Sequence, residues 1–158
     1  MANVKNYRKQ GGAEWVVGGT FKLESAGEMD TPGFMKVASG DLASGDADAF
    51  AFAWQNPESS KIIVHRVIVD VTTAGGTGSS VLDVGIVADA TSTDDKLIDG
   101  ADLNDTAVYD NIDDQGVNGE STGKVDEKGG TNDHITGKIL VANAASLAGK
   151  YYIYYTAV

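Results

Sequence analysis

Few residues in this chain are of types that do acid–base or nucleophilic chemistry. There are two histidines, His65 and His134, and no cysteine. A catalytic histidine needs a nucleophile on one side and an orienting acid on the other. His65 lies inside "KIIVHRVIVDVTT" and His134 opens "HITGKILVA", both strand-like, and no G-x-S-x-G turn occurs. Both histidines read as sheet residues, so no catalytic residue is assigned. Without cysteine there is no disulfide, no thiolate nucleophile and no Cys-ligated zinc or iron–sulfur site.

Carboxylates are the commoner reactive type. The segment 89–116 holds Asp89, Asp94, Asp95, Asp99, Asp102, Asp105, Asp110, Asp113 and Asp114. Calcium takes several oxygen ligands from loops of this kind. The EF-hand template is not met: counting from Asp110, the third position is Ile112 and the sixth is Gln115. The competing reading is a solvated acidic surface, and no metal ligand is assigned. Glycine pairs at 11–12 and 18–19 raise the question of a phosphate cradle. They match neither a P-loop nor a dinucleotide fingerprint. "TFKLE" follows Gly19 and reads as a strand, so no helix N-terminus is at hand for an anion. Such glycines serve turns, bulges and close backbone approach. Trp15, between the pairs, is either an interface anchor or a core residue of the first strand.

The elements that must carry these residues are strands. "AFAFAW" (49–54) alternates, with Phe50, Phe52 and Trp54 on one face. In "KIIVHRVIVDVTT" (61–73), Val67, Val69 and Val71 oppose Arg66, Ile68 and Asp70. "SVLDVGIVA" (80–88) follows a glycine-rich turn, and the two segments form a hairpin or a wide arch. "HITGKILVA" (134–142), "KYYIYYTAV" (150–158), "GFMKVA" (33–38) and "EWVVGGTFKLE" add further strands. Val108-Tyr109 is the best strand candidate in the polar stretch 89–130, and 143–148 allows at most one helical turn. The expectation is an all-β chain: a jelly-roll-like sandwich of about eight strands with an extended N-terminal arm. Residues 1–24 form the arm and first strand, and 25–158 the sandwich domain.

Charge narrows the function classes. The net charge is −11 over 158 residues, which argues against a nucleic-acid partner. Residues 1–24 carry four cations against two acids, net +2, leaving −13 on the remainder. A basic segment on an acidic body is the asymmetry of a chain that docks at one end. No apolar run approaches the roughly 18 residues of a membrane span, and the N-terminus lacks a signal-peptide apolar region. No membrane partner is expected, and synthesis in a cytoplasm is.

"YRKQGGAEWVVGGTFKLE" resembles the N-terminal segment of the head fibre and capsid decoration proteins of tailed bacteriophages. The matching residues are Tyr7, Arg8, Gln10, Gly11, Gly12, Glu14, Trp15, Gly18 and Gly19. "VHRVIVDVTTAGG", "VLDVGIVADA", "LIDGADLND", "VYDNIDDQG" and "GKYYIYYTAV" are also similar to phage head proteins. The resemblance implies a structural virion protein without catalysis or cofactor, on the outer surface of an icosahedral head and often trimeric. Its partner would be the major capsid protein. The capsid-binding residues would be Lys5, Tyr7, Arg8, Lys9, Gln10, Gly11, Gly12 and Trp15, with Arg8 and Lys9 pairing capsid carboxylates. In "YYIYY", Tyr151, Ile153 and Tyr155 share one strand face and Tyr152 and Tyr154 the other. One face fills the core; Tyr152 and Tyr154 are assigned to a homotrimer interface. Two rivals stand beside this reading. One is a carbohydrate- or host-surface-binding sandwich with calcium in 89–116, its sugars stacking on Trp54 and the tyrosines. The other is an enzyme built around either histidine.

Overall fold

The computed structural model describes residues 33–76 and 78–158, with the backbone of two short strands at 6–8 and 15–17. The chain divides into two units, Met1–Thr31 and Pro32–Val158. In the first, β1 (Asn6–Arg8) and β2 (Trp15–Val17) pair antiparallel, with Arg8 opposite Trp15.

The second unit is all-β. Its strands are β3 (Met35–Asp41), β4 (Phe50–Gln55), β5 (Ile62–Thr73), β6 (Val81–Val87), β7 (Ile98–Asp102), β8 (Val108–Asp110), β9 (Gly123–Val125), β10 (His134–Leu140) and β11 (Ala148–Ala157). One sheet runs β4-β10-β6-β7. The other runs β3-β11-β5-β8, with β9 pairing β5 beyond the end of β8. The pairing is nested: β3 with β11, β4 with β10, β5 with β8, β6 with β7, all antiparallel. A long antiparallel ribbon rolled onto itself gives this order, so the expected jelly roll is present. β5 and β6 lie in different sheets, so their connection is an arch rather than a hairpin. Gly75 anchors it, donating its N–H to the Leu103 carbonyl at 2.7 Å and accepting from Ser146 at 2.9 Å. Among the described residues there is no helix; 141–147 holds a turn and an isolated bridge between Gly45 and Ala144.

Alternation explains the core. Val64, Val67, Val69 and Val71 of β5, and Tyr151, Ile153 and Tyr155 of β11, point between the sheets. They meet Leu82 and Val84 of β6 and Ile135 and Ile139 of β10, all buried. Phe52 and Tyr151 stack across the gap with ring centroids 4.3 Å apart. Two glycines make room for that stack. A Cβ at Gly40 would sit 2.7 Å from the Tyr151 ring, and one at Gly137 would collide with Phe52.

Candidate functional site

The strand period that sends Tyr151, Ile153 and Tyr155 inward sends Tyr152 and Tyr154 to the outer face of the five-stranded sheet. Both are half-buried by neighbours on that face. Tyr152 lies opposite Ser39 and Ile68, and Tyr154 opposite Val37 and Arg66. Met35 and Val37 extend the row along β3, 60% and 52% exposed. Ile112, just past β8, is 45% exposed. A sheet face turned to water ordinarily carries polar residues; this one carries an apolar row, Met35, Val37, Ile68, Tyr152 and Tyr154, among polar neighbours such as Ser39, Arg66, Asp70 and Lys150.

A bulge shapes its centre. The β11–β5 register shifts at Tyr154/Tyr155, so that Tyr154 faces Arg66 and Tyr155 faces Val64. His65 is the unpaired residue between them. Its Nε2 lies 2.8 Å from the Thr156 hydroxyl, and no carboxylate bonds the ring among the described residues. Arg66 lies across the face toward Asp110, donating from Nε at 3.1 Å and more closely from Nη2. Burial alone would raise the Asp110 carboxyl. Arg66 and the N–H groups of Asp113 and Ile112 outweigh that and hold it below the usual carboxylate range. Met35, His65, Arg66, Ile68, Ile112 and Tyr154 line a shallow depression of about 420 Å³.

The acidic segment forms a separate cluster. A Cβ at Gly85 of β6 would collide with the Asp94 backbone, so the glycine lets the 94–97 loop lie on the strand. Leu97 N–H then bonds the Val84 carbonyl at 2.9 Å. This brings Asp83, Asp95 and Asp99 together, with one oxygen of each within 4.8 Å of the others. Each carboxylate already accepts a hydrogen bond: Asp83 from Gly100 N–H, Asp95 from the Asn118 amide, Asp99 from Asn118 N–H. Desolvation, opposed by the Gly100 bond and aided by Asp99 and Asp95, raises the Asp83 carboxyl. These three are the described residues best placed to hold a divalent cation, as half of the six or more oxygens calcium takes.

The other histidine lies beside a buried acid. His134 Nδ1 lies 2.6 Å from Asp133, whose carboxylate also accepts from Gln55 and Gly129 N–H. Trp54 is half-buried against the core, its ring 5.4 Å from that of Tyr155. Lys5, Lys9, Gln10, Gly11 and Gly12 lie outside the described residues, as do the side chains of Tyr7, Arg8 and Trp15. Residue pattern alone missed Met35, Val37, Ile112 and Asp83. Ile68 was visible as the apolar member of an outward row, between Arg66 and Asp70. The chain matches no protein-family model, no curated protein and no solved structure.

Proposed function

We propose that this chain is a structural protein of a bacteriophage virion. It decorates the outer surface of the icosahedral head, binds the major capsid protein and cements the shell. The observation that carries the reading is the apolar outer face of the five-stranded sheet, centred on Tyr152, Tyr154 and Ile68, on an acidic jelly-roll body. Contiguous exposed apolar side chains of this kind mark interaction sites. Sister copies cover this face in a homotrimer, while the cationic N-terminal residues, Lys5, Arg8 and Lys9 with Trp15, meet the capsid. The chain is made in the host cytoplasm and joins the particle there. Deleting residues 1–12 is the test of docking: the truncated chain fails to bind undecorated heads in a sedimentation assay. Binding equal to that of the full chain refutes the docking role.

A second reading is favoured by one specific observation, the meeting of Asp83, Asp95 and Asp99. In it the chain is a host-surface-binding module at the head, steadied by calcium. A cation that binds only the folded state raises the melting temperature by mass action. A melt in calcium against one in EDTA separates the readings: a downward shift in EDTA favours the module, and coincident curves favour the purely structural role.

A further inference from the structure

A smaller concavity of about 210 Å³ opens where β9 comes against β6, away from the tyrosine face. Half-buried Ile86 lies at its base, over the buried Leu97. A Cβ at Gly123 would collide with Ile86, so the glycine lets β9 down onto that base. Its walls carry Lys96, Lys124, Glu120 and Asn132. Glu120 N–H donates to the Lys96 carbonyl at 2.6 Å, which ties two of the walls together.

The cations single this cavity out. Residues 33–158 hold eight lysines and arginines against nineteen acids, so carboxylate partners are plentiful. Five of the eight take one: Lys36 with Glu58, Lys61 with Asp126, Arg66 with Asp110, Lys138 with Asp48, Lys150 with Asp41. Lys96, Lys124 and Lys128 have no ion pair among the described residues, and two of these three line the one cavity. Asp94, also on its wall, turns one oxygen back to the N–H groups of Asp95 and Lys96.

We infer that this cavity binds a carboxylate-bearing sugar of the hexuronate type. Its volume falls below the roughly 300 Å³ at which drug-sized pockets begin, which leaves room for one small ring. The ring's C–H face lies on Ile86. Its hydroxyls meet Glu120 and Asn132, which together offer acceptors and donors. The ligand carboxylate sits between the two ammonium groups, each a compact point charge with three donors. With so few ligand atoms the dissociation constant is on the order of a millimolar.

The test is a titration of the full chain with sodium glucuronate, followed by amide NMR shifts. Glucose and sodium acetate at matched ionic strength are run in parallel. Saturable shifts at Lys96, Leu97, Glu120 and Lys124, with glucose and acetate much weaker, are expected. The doubly substituted chain Lys96→Gln/Lys124→Gln should melt as the parent does and bind at least tenfold more weakly. Absent shifts, equal shifts with acetate or glucose, or unchanged binding by the variant overturn the proposal. The cavity is separate from the tyrosine face, so this result and the association state are read independently.

Discussion

Asp110 and Asp133 are buried carboxylates, and each is held charged by donors rather than by solvent. Asp110 has Arg66 and two backbone N–H groups; Asp133 has Gly129 N–H, Gln55 and His134. In both, burial pushes the carboxyl up and the donors more than offset it, so both sit below the usual range. The sign then follows. A carboxyl whose folded value is depressed adds stability that is present above the unfolded value, about 3.9. That contribution is lost as pH falls through the folded value. Urea midpoints should therefore hold near neutrality and drop below about pH 4. Asp110→Asn should flatten part of that drop; an unaltered profile would show that Asp110 is not among the groups responsible. A steric prediction belongs to the same scale. Gly137→Ala places a methyl against the Phe52 ring and should cost about 1–3 kcal/mol in chemical unfolding, with the Phe52–Tyr151 stack disturbed first.

At the scale of elements, β5 organises the molecule. It pairs with β11, β8 and β9, and its residues supply both the core valines and the centre of the exposed face. Asn111 locks it to the loop before β9. Its side chain is fully buried, accepts from Val67 N–H at 2.6 Å, and donates to the Glu120 and Ser121 carbonyls. Asn111→Ala would leave the buried Val67 N–H without this acceptor, at a cost of about 1–3 kcal/mol in urea unfolding. A loss below half a kcal/mol would mean that water replaces the amide. β5, β6, β10 and β11 were legible because β-branched and aromatic residues alternate along them. β7, "IDGAD", was not: it carries two aspartates and Gly100 at φ 84°, and only Ile98 and Ala101 are buried. β9, three residues long, gives no period to read. The connection between β5 and β6 stayed open between a hairpin and an arch, because nothing local distinguishes a chain that returns beside itself from one that crosses to the other sheet.

At the scale of the whole body, residues 33–158 carry eight cations against nineteen acids, and the outer face of one sheet bears a row of apolar side chains. Tyr152 and Tyr154 could be assigned to the outer face from alternation alone, once the other face was given to the core. The rest of the face is assembled from β3, β5 and the end of β8, which lie far apart in the chain, so only the fold shows its extent. Aspartate 83 joins Asp95 and Asp99 for the same reason: a strand residue and a loop meet only after folding. Tyr154→Lys combined with Ile68→Lys should leave the fold intact, since both point away from the core, and convert the proposed trimer to monomer in sedimentation analysis. A parent chain that is monomeric at every concentration would refute self-association. The proposed placement on a shell is tested most directly by a cryo-electron microscopy reconstruction of undecorated phage heads mixed with this chain. The account predicts jelly-roll density grouped in threes on the outer surface, joined to the shell through its N-terminal segment; a shell bare of such density in the presence of saturating chain would contradict it.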